Sequence, residues 1–389
     1  MHAEWIIREN AMDLIKRPAC VFSGNEDLEL LYTFKDTPVY CAMADMNSDY
    51  REDLVSDMSM WISKSTGSLQ LNPLIPFDVL YQQQHNDAIG KTWLEHHKQF
   101  AKFVEKFKPN KVLEIGGGAS ALSRIYLESN PDCEWIVIEP NAELLKCRED
   151  ITVIESQFDD KLVIPDVDVV VHTHFLEHLY DPLKFVQTVS EKTSLDCLHL
   201  FSIPDFDYWL KSKFGNTLFF EHTYYLDKSF TAQLLACGGY HLLDTYNFKN
   251  HSIFYAAENI KTFQEYTHKS RYEELKLIYS EYLDYLNDNV NAINKQISHI
   301  NSLVFVFGAH IFSQILLVQG MDKRNICGIL DNSKMKIGKR LYGTPYEIFS
   351  PETIKGVDSP IVVLFAGAYL EEIKKQLLEI NNTVKLIIL

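Results

Sequence analysis

The chain has 389 residues, of which 46% are hydrophobic and 12% aromatic, which is enough for two or three packed domains. Its formal net charge of −16 comes from 37 basic and 53 acidic residues, and because such a surface repels phosphate backbones we predict no nucleic-acid partner. No apolar run reaches the length of a membrane span and no apolar leader opens the chain, so we expect a soluble, cytoplasmic protein without membrane contact. The seven cysteines are scattered and odd in number, which favours free thiols over a disulfide framework.

Turn-forming residues characterise the start of the chain. Residues 1–80 contain loop signals such as "SGNED" and "STGSLQLNPLIP", so we predict a small, irregular N-terminal module there. From Ala88 to Phe107 apolar residues recur at steps of three and four, which predicts a helix.

Short apolar runs then alternate with helical patterns. We predict strands at "KVLEIG", "EWIVIE" and "DVDVVVHTH", and helices at "ASALSRIYLES", "AELLKCRE" and "DPLKFVQTVSEK". The later stretch "LDKSFTAQLLACGG" is typical of a helix with a glycine stop. This alternation indicates a parallel sheet with helices on its faces, so we predict an α/β domain over residues 81–260.

A long helical pattern separates this domain from a second α/β unit. Between residues 261 and 300 the sequence predicts one long helix or two shorter ones, with an apolar stripe formed by Leu275, Tyr279, Tyr282, Leu286, Val290, Ile293, Ile297 and Ile300. The stripe is either an internal packing seam, which we favour, or the interface of a homo-oligomer. Residues 301–389 again alternate strand and helix patterns, which predicts a C-terminal Rossmann-like α/β domain.

A glycine-rich turn lies at the start of the central domain. "VLEIGGGASALS" places Gly116, Gly117 and Gly118 between a predicted strand and a predicted helix. Glycines there let the backbone turn sharply and approach a ligand, and the helix start offers free N–H groups. Glu139 ends the next strand, where a carboxylate can bind the hydroxyls of a ribose. We therefore predict a crevice for a cofactor with an adenosine moiety.

Two features bear on which cofactor occupies this crevice. Gly116, Gly118 and Ala121 fit the loose dinucleotide fingerprint, which keeps an NAD-dependent sugar enzyme as an alternative. Glu114 lies in the strand just before the glycines, and its carboxylate suits an amine-bearing ligand and would repel a pyrophosphate. We therefore favour an amine-bearing cofactor and include Glu114 among its binding residues.

The segment "HFLEHLYDP" is the third of three motifs that occur in order along the central domain. Together with "VLEIGGGAS" and "IEPN" it resembles the class I S-adenosylmethionine-dependent methyltransferases. The resemblance implies that the glycine turn holds the methionine part of S-adenosylmethionine and that Glu139 holds its ribose. It also implies that "HFLEH" lines the pocket, with His174 touching cofactor or substrate.

The stretch "LFFEHTYYL" places a carboxylate, Glu221, next to an imidazole, His222. Neighbours in a strand point to opposite faces, so both groups can serve one pocket only if the backbone leaves strand geometry there. The alternative interpretation is the entrance of the helix that follows, because acidic residues favour first turns.

The layout as a whole resembles one subfamily, the three-domain sugar C-methyltransferases that act on nucleotide-linked keto-deoxysugars. "FFEHTYYL" matches the family's E-H-x-x-Y segment, which implies that Glu221 and His222 are catalytic. His178 in "FLEH" matches a further active-site histidine. The resemblance therefore implies a nucleotide-linked sugar as the substrate, and a role in the synthesis of surface polysaccharide or another glycoconjugate.

Three further residues enter the predicted site through this resemblance. With Trp93 as the fixed point, His85 or Asn86 falls where the family usually has an active-site tyrosine, so His85 is included among the catalytic candidates. Tyr224 and Tyr225 are expected to line the sugar site, with ordinary core positions as the alternative.

One departure from the family concerns zinc. The family's N-terminal module binds zinc through C-x-x-C pairs, whereas the matching pairs here are Cys20 with Ser23 and Ser63 with Thr66. Hydroxyls are poor zinc ligands compared with thiolates, and one cysteine cannot hold a structural site. We therefore predict no zinc and no other metal ligands, and the sugar and its nucleotide stay open.

The chemistry of carbon methylation needs specific groups. A carbon beside a ketone must lose a proton to a base, and a further group must stabilise the enolate oxygen. We predict His222 as the base, Glu221 as the residue that orients it or binds a sugar hydroxyl, and His178 or His85 as the enolate stabiliser or proton relay. The same residues would serve a sugar O-methyltransferase, and a non-catalytic methyltransferase-like binding protein is the alternative from another class.

Overall fold

The computed structural model describes residues 12–82, 91–214, 218–267, 269–298, 302–366 and 369–389. Its strands, in chain order, are β1 (Leu28–Pro38), β2 (Met43–Ala44), β3 (Val55–Ser63), β4 (Leu69–Leu71), β5 (Lys111–Ile115), β6 (Glu134–Ile138), β7 (Thr152–Ile154), β8 (Val169–Thr173), β9 (Leu198–Pro204), β10 (Tyr240–Phe248), β11 (Ser252–Asn259), β12 (Val304–Phe307), β13 (Ile326–Leu330), β14 (Arg340–Leu341), β15 (Ile348–Phe349), β16 (Ile361–Leu364) and β17 (Lys385–Ile388). The α-helices are α1 (Phe77–Leu80), α2 (Lys91–Glu105), α3 (Ala121–Ser129), α4 (Pro182–Lys192), α5 (Phe206–Lys211), α6 (Lys228–Cys237), α7 (Tyr272–Ile297), α8 (Ile311–Val318) and α9 (Leu370–Ile380). Within these described ranges, no helix combines the length and the apolar character that a membrane crossing requires.

Seven strands form the central sheet, in the order β10-β11-β9-β8-β5-β6-β7. All neighbours are parallel except β11, which runs antiparallel to both β9 and β10. The chain builds from β5 outward to β7 and then continues at β8 on the other side of β5. Ligands of such sheets bind beyond the carboxyl ends of the strands, at the point where the strand order reverses. This architecture confirms the predicted Rossmann-like α/β fold of the central domain.

Helices cover both faces of the central sheet because both faces are apolar. Val169 and Val171 of β8 lie in one buried cluster with residues of α2 and α3. Val170 lies in a second cluster with residues of α4 and α6. Adjacent residues separate in this way because the side chains of a strand alternate between its two faces.

One predicted helix of this domain is shorter than expected. "AELLKCRE" forms only a 3₁₀ helix over Ala142–Leu145. Ala142 and Leu145 are its buried residues, and their spacing of three suits a 3₁₀ turn rather than an extended amphipathic helix.

The N-terminal residues are more regular than predicted, since β1, β3 and β4 form an antiparallel sheet. Met58, Met60 and Ile62 of β3 are buried and alternate with more exposed neighbours, the period of a strand with one buried face. The turn formers in this region therefore mark the connections between strands. β2 pairs with β14 and joins this module to the C-terminal part of the chain.

Five parallel strands form the C-terminal sheet, in the order β15-β13-β12-β16-β17. Ile315 of α8 and Leu377 of α9 belong to different buried clusters, so the two helices cover opposite faces. The strand order reverses between β12 and β16, which creates a second crevice of the same kind. The predicted C-terminal Rossmann-like domain is confirmed.

The segment between the two parallel sheets is a single helix, α7, of 26 residues. The buried residues of its stripe are Leu275, Tyr279, Tyr282, Leu283, Leu286, Val290, Ile293 and Ile297. They pack within the chain, where α7 contacts α5 and β3, so the stripe is an internal packing seam. Ile300, the last residue of the predicted stripe, lies outside the described residues.

Candidate active site

The glycine turn has a backbone shape that larger residues would not adopt. Gly116 has a φ of +68°, and a β-carbon there would lie 2.5 Å from the ring of Phe175. Gly118 has a φ of +53° and faces open space, and the N–H of Gly116 donates to the carbonyl of Ile138 at 2.9 Å. A β-carbon at Gly117 would lie 2.8 Å from Val137, so Gly116 and Gly117 allow close packing at the carboxyl end of β5, whereas Gly118 contributes its positive φ.

Glu139 follows the last residue of β6 and reaches back to this turn. Its Oε2 accepts a hydrogen bond from the N–H of Gly118 at 2.8 Å, and its Oε1 accepts one from the N–H of Asn141 at 2.9 Å. A carboxylate has about four acceptor sites, so capacity remains for the hydroxyls of a ribose. The carboxylate is thereby held beside the strand-order reversal, where the sequence predicted cofactor binding.

Glu114 lies beneath the turn and not on its open side. Its side chain is 2% exposed and accepts hydrogen bonds from the hydroxyl of Ser120 and from Trp135 Nε1, the latter at 2.9 Å. Burial raises the pKa of Glu114 to about 7, although both hydrogen bonds act in the opposite direction. The structure therefore places Glu114 as a support of the glycine turn.

His174 points into a cluster of histidines behind the pocket. Its Nε2 lies 2.7 Å from Ser252 Oγ, its ring packs 4.7 Å from Trp93, and its neighbours include His96 and His251. Burial lowers the pKa of His174 to about 3, so its imidazole is neutral at physiological pH. These partners belong to α2 and to the edge of β11, so the structure does not bring the His174 ring to the glycine turn.

The backbone leaves strand geometry at the Glu221–His222 pair. The N–H of His222 donates to the carbonyl of Phe219 at 3.2 Å and closes a turn over residues 219–222. The chain then becomes extended and pairs with β4. The N–H of Leu71 donates to the carbonyl of Thr223 at 2.9 Å, and the N–H of Tyr225 donates to the carbonyl of Leu69 at 3.0 Å. This turn and the strand pairing after it let adjacent residues face one pocket, and α6 begins only six residues later.

The structure brings Glu221, His222 and His178 close together. His178 Nδ1 lies 3.7 Å from Glu221 Oε2, and the rings of His178 and His222 are 5.1 Å apart. Glu221 and His222 are 6% and 7% exposed, so their polar atoms act in a largely dry environment. The cluster unites the loop after β8 with the turn before α6.

Glu177 is a site residue that the sequence analysis missed. It lines a small cavity with His222, with room for about one water molecule. Burial raises the pKa of the Glu177 carboxyl to about 7. Its position between His174 and His178 in "HFLEH" was the signal available in the sequence.

A second missed residue is Tyr81, which follows α1. Burial raises the pKa of its phenol well above the ordinary value, and the charges of Glu221 and Glu177 act in the same direction. Tyr81 therefore lies near enough for the charges of both carboxylates to act on its phenol. The predicted candidates His85 and Asn86 lie outside the described residues.

Tyr224 and Tyr225 border the same cavity as His222 but are buried like core residues. The hydroxyl of Tyr224 donates to the carbonyl of Leu176, and the ring of Tyr225 packs 4.4 Å from Phe206. Their predicted contact with a substrate would therefore be made through the ring faces that line the cavity.

The C-terminal sheet has a turn of the same kind. The N–H of Ala309 donates to Asp331 Oδ2 at 2.8 Å, which repeats the arrangement of Gly118 and Glu139 at the end of a second strand. Lys336 Nζ lies 3.3 Å from the same carboxylate. Burial lowers the pKa of His310 in this turn to about 4, and the charges of Asp331 and Glu221 act in the opposite direction.

The positions that match the family's zinc ligands form a hydroxyl network instead. Cys20 Sγ lies 3.5 Å from Thr66 Oγ1 and 3.3 Å from Ser68 Oγ. Ser63 Oγ donates to Asp27 Oδ1 at 2.9 Å. Because these hydroxyls bond to one another and only one thiol remains, the donor set does not fit zinc.

The chain is similar in part to solved structures of methyltransferases. A scan against protein-family models and a search of curated proteins found no match. Solved structures that are similar include a mitomycin 7-O-methyltransferase, at 19% identity and a TM-score of 0.37 over 44% of this chain and 55% of that one. A pyocyanin biosynthetic protein is similar at 14% identity and a TM-score of 0.35 over 41% and 54% of the two chains.

Magnesium protoporphyrin IX methyltransferase from Synechocystis, solved with bound SAH, is similar at 13% identity and a TM-score of 0.35. That alignment covers 46% of this chain and 90% of the other. This chain spans about half the length of the first two structures. The likeness concerns the fold of part of the chain, so the activity must be inferred from the residues of the site.

Proposed function

We propose that this protein is an S-adenosylmethionine-dependent methyltransferase that acts on a nucleotide-activated sugar. The observation that carries the proposal is the loop after β8, which joins two sites. Phe175 packs against Gly116 at the cofactor turn, and His178, three residues on, meets Glu221 and His222. One loop therefore brings an adenosine-type crevice and a proton-handling cluster together at the carboxyl edge of one sheet.

Glu139 and the glycine turn are the proposed cofactor-binding groups. Glu139 would bind the ribose, and the glycine turn would approach the methionine part closely. When bound, S-adenosylmethionine supplies a methyl group on a positively charged sulfur. The protein's own task is to exclude water and hold the acceptor atom in line with that methyl group.

The acceptor residues carry out the proton chemistry. His222 takes the proton of the acceptor, Glu221 orients the imidazole or binds a sugar hydroxyl, and His178 stabilises the oxygen that becomes negative. Tyr81 is a further candidate for a hydrogen bond to that oxygen, because the charges of the same carboxylates act on its phenol. The resemblance to sugar C-methyltransferases favours a carbon beside a ketone, and a sugar hydroxyl is the alternative acceptor.

The second crevice supports a nucleotide-linked acceptor. With a net charge of −16, the chain needs local groups to hold an anion. The turn after β12 offers Gly308, with a φ of +100° and open space at its α-carbon, beside Lys336. We propose that a nucleotide bound there extends its sugar toward the cluster of Glu221, whose charge acts on His310 in the same turn.

Calorimetric titration with S-adenosylhomocysteine tests the cofactor assignment. We expect saturable binding and no binding of NAD, and titration with dTDP, GDP, CDP and UDP then identifies the sugar carrier. Binding of NAD alone would favour the NAD-dependent alternative, whereas binding of neither cofactor would contradict the proposal and leave a non-catalytic relative.

The acceptor chemistry is tested with His222→Asn. We expect methyl transfer to fall by roughly 10²- to 10⁴-fold because the general base is lost, while S-adenosylhomocysteine still binds. His241→Asn on the exposed side of β10 is the matched control and should leave the rate unchanged. Equal rates for both variants would exclude His222 as the base.

A further inference from the structure

Three side chains at the acceptor pocket have the spacing of metal ligands. Glu177, His178 and His222 each offer one ligand atom, and these three atoms lie within 4.8 Å of one another. They come from two separate segments, the loop after β8 and the turn before α6, so no single sequence motif predicts the three together.

The Glu177 carboxylate is buried and poorly partnered within the described part of the chain. Its side chain is 3% exposed, and neither of its oxygens has a hydrogen bond among the described residues. His174 Nδ1 lies 3.3 Å from Oε1. A buried carboxylate without a full set of partners is costly, and this one borders a cavity with room for about one water molecule or ion.

We propose that Glu177, His178 and His222 bind one divalent transition-metal ion, with a coordination position open toward the cavity. Two imidazole nitrogens and one carboxylate oxygen are a donor set suited to Zn²⁺, Co²⁺ or Fe²⁺. Mg²⁺ and Ca²⁺ prefer oxygen ligands and fit less well. Three protein ligands leave room for an acceptor oxygen, as in catalytic rather than structural metal sites.

The surroundings supply the outer contacts that such a site needs. Glu221 Oε2 lies 3.7 Å from His178 Nδ1, the position of the carboxylate that orients a ligating imidazole. The charge of a divalent ion would also balance two carboxylates, Glu177 and Glu221, that are both less than a tenth exposed.

The chemical role of the ion rests on the proposed function, whereas its binding does not. In the loaded site His222 donates its lone pair to the ion and no longer serves as the base. The ion polarises the acceptor oxygen, and Glu221 takes the proton. The new bond to the methyl carbon forms as the sulfur–methyl bond breaks, and S-adenosylhomocysteine leaves.

Titration of the full chain with Co²⁺ tests the site directly. Protein stripped with a chelator is titrated while the visible absorption of the ion is recorded, and Zn²⁺ is then added as a competitor. We expect one equivalent of Co²⁺ to bind in the wild type, and Glu177→Gln and His178→Asn to weaken binding at least about tenfold. His241→Asn is the control and should bind like the wild type.

Two results would overturn the proposal: no saturable absorption in the wild type, or unchanged affinity in both cluster variants. The wild-type measurement decides even if a variant fails to fold. S-adenosylhomocysteine is titrated into the same samples. If the wild type binds Co²⁺ but not S-adenosylhomocysteine, the proposed function is contradicted and the metal site is supported. If it binds S-adenosylhomocysteine but not Co²⁺, the metal site is contradicted and the cofactor assignment is supported.

Discussion

Glu139 is the residue on which cofactor recognition most directly depends. Its two oxygens are already aligned by the N–H groups of Gly118 and Asn141, so the carboxylate needs little reorganisation to bind a ribose. Glu114 has the opposite character, since it is enclosed beneath the same turn and stabilises the loop from within. Two carboxylates that contact the same turn thus have different tasks, set by their hydrogen-bond partners.

We predict that Glu139→Ala weakens the binding of S-adenosylhomocysteine by roughly 10- to 100-fold, because hydrogen bonds to a charged acceptor contribute about 1.5–3 kcal/mol. Calorimetry measures the change. Glu143→Ala, at an exposed position paired with Lys146, is the matched control and should bind normally. A normal affinity for Glu139→Ala would place the ribose elsewhere.

From the raised pKa of Glu114 we predict how the stability of the fold depends on pH. Its pKa of about 7 in the folded chain exceeds the ordinary value of about 4.5, so the folded state binds the proton more tightly than the unfolded state. The resulting stabilisation is present in full below about pH 4.5 and is lost as the pH rises to about 7. The total is about 3 kcal/mol.

Urea unfolding of the wild type and of Glu114→Gln between pH 5 and pH 8 checks this prediction. Glutamine resembles the protonated carboxyl, so the unfolding free energy of the variant should increase relative to that of the wild type as the pH rises. A difference in unfolding free energy that is the same at pH 5 and pH 8 would contradict the raised pKa.

At the scale of elements, β4 and Arg17 hold the turn that carries Glu221 and His222. Arg17 Nη2 donates to the carbonyls of Leu71 and Thr223, and its Nη1 donates to Tyr180 at 3.4 Å. Burial lowers the pKa of Arg17 to about 10, which still leaves it charged at neutral pH. The N-terminal sheet therefore acts as a scaffold for the candidate catalytic turn, although it no longer fits zinc.

We predict that Arg17→Met destabilises the chain by about 2–4 kcal/mol, because buried carbonyls lose their donor. Methyl transfer should fall more than S-adenosylhomocysteine affinity, since the acceptor turn loosens while the glycine turn does not. Arg51→Met, whose guanidinium is exposed and paired with Asp49, is the control and should change stability by less than about 0.5 kcal/mol. Equal effects of the two substitutions, measured by urea unfolding, would exclude the scaffold role.

At the scale of the whole molecule, one buried ion pair joins the first and last parts of the chain. Arg340 of β14 and Asp53 are 2% and 8% exposed in their side chains and form a bidentate contact. Nearby, Gln314 of α8 donates to the carbonyls of Tyr40 and Tyr342 at 2.9 and 3.0 Å. These links hold the C-terminal part of the chain against the N-terminal module.

We predict that Asp53→Asn costs about 3–5 kcal/mol of unfolding free energy, because it leaves a buried guanidinium without its counter-ion. Asp57→Asn is the matched control, since the Lys35–Asp57 pair is exposed and contributes at most about 1 kcal/mol. Urea unfolding measures both. Similar small losses in the two variants would show that the link between the modules is not electrostatic.

The sequence by itself determined the local elements and the cofactor crevice. Helices and strands of the two α/β domains follow from periodicities of 3.6 and 2 within short windows, and Gly116–Gly118 with Glu139 follow from a turn between neighbouring elements. The strands of the first 80 residues were missed because turn residues outweighed a short alternating pattern around Met58 and Met60.

Only the tertiary structure decided which distant residues share a pocket. Glu177 and Tyr81 join His178 and His222 through the packing of the loop after β8 against β4 and the turn before α6. His174 is the first histidine of the "HFLEH" motif, yet its positive φ and its hydrogen bond to Ser252 direct its ring away from the glycine turn. Local patterns reflect near neighbours along the chain, whereas a pocket depends on strand order and long-range packing, which no short window of sequence contains.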